Sequence, residues 1–366
     1  MKIALTGADG FLGWHTRLRL HAHGQDDVVP VTRATWNDLA AQLSDCEAVI
    51  HLAGVNRGAD TDVEEKNIEL AEQLVTAVRA QGAPMRVVYS NSIHAGASTP
   101  YGIGKARAGE LIRTLADEGH TVVDIRLPNI FGEHGRPHYN SFVATFAHAV
   151  ANQHPVELID REVELLHAQS AADALIVGLT TSEEYISPSG SHVFVREVLD
   201  LLEEFESSYR FGEFPALTSR FRIDLLNTYR AALFPQRYPI PLRPQTDPRG
   251  TFVETVRSRG GESQSSVSTT YPGVTRGEHY HLSKIERFVV VHGSARIALR
   301  RMFHDRVIEF DVTGEQPCAV DMPMGWVHNI TNTGSDLLIT QFWAHELFRP
   351  DAPDTFAQPV ALESPA

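Results

Sequence analysis

Along the first 130 residues, short β-branched apolar runs alternate with stretches whose apolar positions recur every three to four residues. The runs Lys2 to Leu5, Val28 to Val31, Ala48 to Leu52, Arg86 to Ser90 and Thr121 to Arg126 predict strands, and Asn67 to Gln81 and Lys105 to Glu118 predict helices. Alternation at this spacing predicts a parallel sheet covered by helices on both faces, a doubly wound α/β fold of Rossmann type. Further helices are expected at Ser141 to Ala151, Ala171 to Thr180 and Val195 to Phe205. Then Pro235, Pro239, Pro241, Pro244 and Pro248 punctuate a segment that reads as an interdomain connection. Beyond it the period changes to two. Short runs at Arg287 to Val291, Ala295 to Leu299, Arg306 to Phe310, Cys318 to Asp321 and Leu337 to Trp343 predict an all-β barrel or sandwich. The expected domains are therefore 1–238 and 239–348, with 349–366 as an extended, proline-bearing tail.

Composition narrows the function classes. The 366 residues carry 32 basic and 46 acidic side chains, a formal charge of −14, which argues against a nucleic-acid partner spread over the surface. No run of about 18 apolar residues occurs, so no membrane span is expected. Only Cys46 and Cys318 are present, and Met1 to Gly7 has no signal-peptide apolar stretch, so a reducing, cytoplasmic setting is expected. Histidine is abundant, with 18 copies. Lysine is confined to Lys2, Lys66, Lys105 and Lys284, which leaves a lysine-requiring motif few chances to arise by accident.

After the first strand, Gly7-Ala8-Asp9-Gly10-Phe11-Leu12-Gly13 opens a helix. The first glycine permits a tight turn, the second lets backbone approach a pyrophosphate, and the third allows close helix packing, with the phosphates at the helix's positive end. The second strand ends in Val31-Thr32-Arg33 instead of an acidic residue, roughly twenty residues beyond the last glycine. A guanidinium there suits a 2′-phosphate, so NADP(H) is the expected cofactor. Tyr101-Gly102-Ile103-Gly104-Lys105 puts a tyrosine and a lysine four apart, on one helix face, and Ser92 stands at a strand's carboxyl end, where open α/β sheets bind ligands.

Together with His51-Leu52-Ala53-Gly54, with Asn67 expected to head a helix, and with Arg126-Leu127-Pro128-Asn129 followed by Phe131-Gly132, these motifs resemble the extended short-chain dehydrogenase/reductase family over about residues 1 to 235. The resemblance implies that Tyr101 is the general acid toward a carbonyl oxygen as hydride arrives. Lys105 would lower the tyrosine's pKa and hold the nicotinamide ribose, and Ser92 would hydrogen-bond the carbonyl. It further implies a cofactor site of Gly7, Gly10, Phe11, Leu12, Gly13, Arg33, Leu52, Ala53, Gly54, Asn67, Tyr101 and Lys105. Ser92 is followed by Ile93 and His94, not by the Asp-Glu pair expected of a dehydratase. A reductase with exchangeable NADPH is the better fit.

The second half carries a metal pattern: Gly273-x5-His279-x-His281-x4-Glu286-x6-Gly293, then Pro323-x-Gly325-x2-His328-x3-Asn332. Histidines two apart on a strand share a face, and a glutamate past the next turn can return to the same interior. His279, His281, Glu286 and His328 would suit Zn(II), or Fe(II), Mn(II) or Ni(II) with more ligands. Both blocks resemble the cupin family, except that Pro317 stands where its second block opens with glycine, and Gly314 lies nearby.

The order reductase then metal cupin is similar to the bifunctional enzymes of capsular polysaccharide and O-antigen synthesis. That resemblance adds Val55-Asn56-Arg57, Arg136-Pro137-His138-Tyr139-Asn140-Ser141, Asp247-Pro248-Arg249-Gly250 and Pro323 to Asn329. It implies a UDP-sugar substrate, a UDP-2-acetamido-2,6-dideoxy-4-hexulose that the cupin epimerises at carbon 3 and the reductase reduces at carbon 4 to the L-talose sugar. Asn129, Arg136 and Asn140 would contact substrate, with Arg57 as a further candidate, and a homodimer is implied. Lys284 and Tyr280 are candidate bases for the epimerisation, Tyr280 being expected to face away from the metal. Two other readings stay open: a reductase whose cupin only stabilises or dimerises the chain, and a nucleotide-sensing binding protein.

Overall fold

A computed structural model describes residues 1–362. The last four residues of the expected tail lie outside the described residues. The chain divides into two compact units, Met1–Thr145 with Asp160–Val195, and Phe146–Ile159 with Arg196–Ala366.

The first unit holds β1 (Ile3–Thr6), α1 (Phe11–Ala22), β2 (Val28–Val31), α2 (Leu39–Gln42), β3 (Ala48–His51), α3 (Asp60–Arg79), β4 (Arg86–Ser92), α4 (Pro100–Arg113), β5 (Thr121–Leu127), β6 (Asn129–Phe131), the start of α5 (Phe142–Ala151), β7 (Glu162–His167), α6 (Ala168–Val177), β8 (Tyr185–Ile186) and β9 (Ser191–Phe194). Its main sheet is ordered β2-β1-β3-β4-β5-β8. All five strand pairs in it are parallel. The apolar runs are buried because helices cover both faces, with one core of Val49, Val87, Ala71, Leu74 and Ile112 and another of Ile3, Leu5, Ile50, Ile125 and Leu175. Strand order reverses between β1 and β3, and that switch point opens a crevice at the strands' carboxyl ends.

Three expectations shift here. Asn67 does not head its helix, because α3 begins at Asp60, where Asp60 and Asp62 suit the positive first turn. The helix expected from Lys105 begins at Pro100, so Tyr101 lies on it. Its N-cap is Thr99, whose Oγ1 accepts from the Gly102 backbone N–H. The expected last turn, Thr114–Glu118, tightens to 3₁₀ before Gly119, a glycine in the left-handed region.

The second unit contains α7 (Val195–Tyr209) and α8 (Arg220–Leu233) besides its strands. These are β10 (Glu213–Phe214), β11 (Ile240–Pro241), β12 (Gln245–Asp247), β13 (Gly250–Phe252), β14 (Arg257–Ser258), β15 (Gln264–Thr270), β16 (Thr275–Tyr280), β17 (Glu286–His292), β18 (Ser294–Arg301), β19 (Val307–Thr313), β20 (Cys318–Met322), β21 (Trp326–Asn332), β22 (Leu338–Ala344) and β23 (Phe356–Ala357). Two antiparallel five-stranded sheets form it, ordered β11-β20-β17-β22-β15 and β19-β18-β21-β16-β23. The proline-punctuated stretch belongs inside this unit instead of connecting two bodies: Tyr238 and Ile240 are buried, and Ile240 pairs with Ala319 of β20. Apolar residues between the prolines supply the burial that a linker lacks.

Helices α7 and α8 join the sheets through a fully buried ionic network. Arg287 donates Nε to Asp321 Oδ1 at 2.6 Å and Nη2 to Oδ2 at 2.9 Å, a bidentate pair. Tyr209 donates its hydroxyl to the same carboxylate, and Arg230 donates to Tyr209 Oη and to the Met322 carbonyl. The Arg287 guanidinium lies 4.3 Å from the Phe214 ring centre. Buried charges at this density require such complete pairing.

Two candidate functional sites

In the first unit, the turn after β1 is built from glycines that the backbone needs. Gly7 has φ +68°, and a Cβ there would meet the Ala53 nitrogen at 3.0 Å. At Gly13 a Cβ would sit 2.1 Å from the Gly7 carbonyl oxygen. Gly10 is the N-cap of α1 with no side-chain cap, and with Phe11 and Leu12 it leaves the helix's first N–H groups facing the crevice. Such a turn could hold a pyrophosphate. Beside it, Thr6 Oγ1 accepts from the N–H groups of Leu52 (3.1 Å) and Ala53 (3.2 Å), and it bonds His51 Nδ1 at 2.8 Å. Burial lowers the His51 pKa to about 3, with Lys105 acting the same way, so the imidazole is neutral. Thr6 and His51 thus pin the Leu52 to Gly54 loop.

Asn67 serves the same loop. Its Nδ2 donates to the carbonyls of Val55 (2.6 Å) and Val63 (2.7 Å), and its Oδ1 accepts from the Val55 N–H at 3.2 Å. The amide is spent on positioning that loop. Arg33, two residues past the end of β2, is exposed and has no partner among the described residues.

Ser92, Tyr101 and Lys105 come together at the carboxyl end of β4. A hydrogen bond with Ser92 acts on the Tyr101 phenol, but burial outweighs it and raises the phenol's pKa. Lys105 is 6% exposed; its Nζ donates to the Ser90 carbonyl at 2.5 Å and lies 4.3 Å from the Tyr89 ring centre. Burial lowers the Lys105 pKa to about 7, against an opposing pull from Asp124. Asp124 on β5 is itself buried and accepts from Asn91 Nδ2 at 3.0 Å, while Asn91 Oδ1 accepts from the Ser92 N–H at 2.9 Å. Behind this pair stands Gly109, whose missing Cβ would lie 3.1 Å from Asn91 Nδ2 and 3.8 Å from Asp124 Oδ2. Tyr101, Lys105 and Gly109 are spaced four apart on one face of α4. A buried aspartate supporting that face was not foreseen; its signal was a lone acidic residue inside the apolar run Val122 to Leu127. The arrangement can hold a ketone, donate a proton to its oxygen and keep a cation close by.

The expected substrate contacts are more dispersed. Asn129 donates Nδ2 to the Glu164 carbonyl at 3.2 Å, tying β6 to β7. Arg136 lies 5.3 Å from the Tyr139 ring centre, and Arg57 approaches the same ring at 5.9 Å while donating to the His138 and Tyr139 carbonyls. Asn140 is exposed beside them.

In the second unit, His279, His281, Glu286 and His328 bring their ligand atoms within 4.8 Å of one another. His279 and His328 face each other across β16 and β21, and Glu286 comes from β17 in the opposite sheet. A bulge between Gly277 and His279, with Glu278 at φ +63°, interrupts the alternation there. Tyr280 turns away and stacks on Phe356, at 5.3 Å between ring centres.

The donor set fits a cation. Glu286 Oε2 lies 3.1 Å from His281 Nε2, 3.3 Å from His328 Nε2 and 3.9 Å from His279 Nε2. Ligands of a tetrahedral Zn(II) lie about 3.3–3.5 Å apart. His281 Nδ1 faces the Asp354 carbonyl at 2.5 Å and His328 Nδ1 faces the Trp326 carbonyl at 3.0 Å. Carbonyls only accept, so both Nδ1 atoms carry hydrogen; burial would lower the His281 pKa but Glu286 raises it, and neutral rings here would turn Nε2 lone pairs toward a carboxylate. That is repulsive unless a proton or a metal intervenes. Burial would raise the Glu286 carboxyl, yet the three histidines hold it well below the carboxylate range. Burial lowers His328 to about 4. Lys284, a candidate base by sequence, is 7% exposed and gives its ammonium to the Pro353 carbonyl (2.5 Å) and Thr355 Oγ1 (3.1 Å).

Comparison with known proteins follows the same division. Residues 3–189 match the NAD dependent epimerase/dehydratase family, and residues 245–356 match the polysaccharide biosynthesis C-terminal domain. A Pseudomonas aeruginosa protein, UDP-2-acetamido-2,6-beta-L-arabino-hexul-4-ose reductase, is 34% identical over 98% of both chains. The crystal structure of the capsular polysaccharide assembling protein CapF from Staphylococcus aureus matches with TM-score 0.62 and 32% identity, covering 98% of this chain and all of that one. UDP-N-acetylglucosamine 4-epimerase from Bacillus cereus shares the fold alone, at TM-score 0.50 and 21% identity over 57% of this chain and 82% of that one. Among the described residues, no helix is long and apolar enough to cross a membrane.

Proposed function

The chain belongs to the NAD dependent epimerase/dehydratase family, and from that footing we propose that it is a bifunctional UDP-sugar enzyme. In this reading the two-sheet unit, a metal cupin, epimerises a UDP-2-acetamido-2,6-dideoxy-4-hexulose at carbon 3. The N-terminal unit then reduces the 4-ketone with NADPH to the L-talose sugar.

The observation that carries the reading is the joint presence, in one chain, of Ser92, Tyr101 and Lys105 at the crevice and of the four-ligand cluster around Glu286. The P. aeruginosa relative, a UDP-2-acetamido-2,6-beta-L-arabino-hexul-4-ose reductase, matches across both.

NADPH supplies the hydride. Ser92 orients the substrate ketone through its hydroxyl, and Tyr101 donates the phenolic proton to the ketone oxygen as negative charge develops there. Burial keeps that phenol protonated until it is needed. Lys105, held by the Ser90 carbonyl, favours the phenolate once the proton has left. Gly7, Gly10 and Gly13 bring backbone N–H groups to the pyrophosphate, and exposed Arg33 pairs with the 2′-phosphate. Arg57 reaches the loop that carries Arg136 and Asn140, and these residues suit the anionic UDP group.

In the second unit, His279, His281, Glu286 and His328 would hold Zn(II) or a related divalent ion, which supplies a Lewis acid for a carbonyl oxygen. A carbon-3 proton is acidic only while the neighbouring ketone survives. Reduction removes that ketone, so epimerisation has to come first.

The reductase assignment is tested by NADPH oxidation with a panel of nucleotide 4-keto-6-deoxy sugars. Turnover with a UDP-linked member and its loss in Tyr101→Phe support it. Undiminished turnover in Tyr101→Phe removes it.

A further inference from the structure

The chain after Phe348 reads as a tail, yet Pro353 to Val360 is bound to β16, the strand that carries His279. Phe356 and Ala357 pair with Tyr280 and His279 as strand β23, so a ligand-bearing residue is itself a strand partner of this segment. Glu278 spans both sides of the seam: its carbonyl accepts from the Gln358 N–H at 2.9 Å, and its carboxylate accepts from the Val360 N–H at 2.5 Å and from Asn329 Nδ2 at 2.6 Å. Arg300 closes the far end by donating to the Val360 (2.7 Å) and Pro359 (2.8 Å) carbonyls.

The near end is held by Asp354. Its Oδ1 accepts from the Leu282 N–H at 2.9 Å, and its Oδ2 accepts from those of Ser283 (2.9 Å) and Lys284 (2.7 Å). Three backbone donors on one carboxylate fix the turn that links His281 to Glu286, the two ligands that flank it. The same residue's carbonyl accepts from His281 Nδ1 at 2.5 Å. It therefore sets both the tautomer and the ring orientation that aim Nε2 at the cluster. To do so Asp354 adopts φ +42°, a backbone state that L residues rarely take.

We propose that Pro353 to Val360 is a strap forming part of the metal site, with Asp354 as the positioning residue for His281. This rests on the reading of His279, His281, Glu286 and His328 as metal ligands. Docking of the strap and binding of the metal are then linked, each strengthening the other.

The test uses the full chain and Asp354→Gly, which keeps a positive φ accessible while removing the carboxylate. Asp354→Asn serves as the milder version should glycine unfold the protein, judged by far-UV circular dichroism. Zinc affinity is read by competition with a chromophoric chelator. Ligand geometry is read from the visible spectrum of the Co(II)-substituted protein. The strap predicts zinc binding weakened about 10–100-fold together with an altered Co(II) spectrum. Unchanged affinity overturns it, and so does weakened affinity with an unaltered spectrum, which would make the strap a stabilising element only. If the unsubstituted chain takes up no zinc, cobalt or other divalent ion, the metal reading itself falls and the strap's role falls with it.

Discussion

Lys105 Nζ sits 2.5 Å from the Ser90 carbonyl oxygen and 4.3 Å from the centre of the Tyr89 ring, buried at the base of the crevice. Burial there lowers its pKa from 10.5 to about 7. The unfolded chain therefore holds a proton between these values that the folded chain lacks, so this lysine's contribution to stability is present above pH 10.5 and is lost as pH falls toward 7. Lys105→Met is expected to stabilise the cofactor-free protein relative to the parent, with a larger gain at pH 6 than at pH 9, while abolishing ketone reduction. Denaturant midpoints at the two pH values check this. A gain that does not change with pH would refute it.

The Asp124–Asn91 pair predicts a pH effect of its own. Asp124 raises the Lys105 pKa against burial, so Asp124→Asn should move the midpoint at which Lys105 loses its proton to lower pH. The alkaline limb of kcat/KM for NADPH-dependent reduction is expected to move acidward by about one pH unit. Asp124→Glu should restore part of the shift. A limb that stays in place would show that the pair only fills space.

Gly109→Ala tests the same support from the helix side. Alanine in a helix interior normally stabilises by about 1 kcal/mol relative to glycine. Here the added methyl would lie 3.1 Å from Asn91 Nδ2 and would push the amide that orients the Ser92 N–H. The expected result is no rise in melting temperature and a fall in kcat of roughly tenfold with KM little changed, since each 1.4 kcal/mol lost in the transition state is a factor of ten.

Arg33→Ala addresses cofactor choice. Loss of a charge-assisted contact to the 2′-phosphate costs about 1.5–3 kcal/mol, so KM for NADPH should rise about 10- to 100-fold while KM for NADH stays put. An equal effect on both cofactors would place Arg33 elsewhere than at the phosphate.

In the second unit, Asp321→Ala leaves the fully buried Arg287 guanidinium unpaired and is expected to cost about 3–5 kcal/mol. Burial would raise the Asp321 carboxyl, yet Arg287 and Arg230 hold it below its usual 3.8. Its contribution is thus fully present above pH 3.8 and disappears as pH falls through the lowered value. Calorimetry should show the transition of this unit, and not that of the N-terminal one, falling in the variant.

Much of this was legible in the residues because it obeys local rules. The parallel strands announced themselves as apolar runs, and the glycines at 7, 10 and 13 stand where a phosphate-binding turn needs them. The four residues proposed as metal ligands were readable from spacing, and their donor atoms lie within 4.8 Å of one another, although the bulge at Glu278 and the reach of Glu286 from a facing sheet depend on pairing partners far apart in sequence. Long-range pairing also explains the misses. Helix α8 went unremarked because its buried polar residues, Asp224, Asn227 and Arg230, blur the apolar stripe until their partners are known. Prolines between 235 and 248 suggested a linker because proline counts say nothing about the buried Tyr238 and Ile240 beside them. The segment around Asp354 looked like a tail because its bonds run to residues about seventy positions away.

The proposed function assigns epimerisation and reduction to separate residue sets in one chain. It is tested most directly by incubating the protein with the UDP-linked 4-keto sugar in deuterated water without NADPH and following deuterium at carbon 3 by NMR. Exchange is expected in the parent and in Tyr101→Phe, and is expected to vanish in a His279→Ala, His328→Ala double variant that still reduces the pre-epimerised ketone with NADPH. Exchange that persists in the histidine variant, or that disappears with Tyr101→Phe, would contradict it.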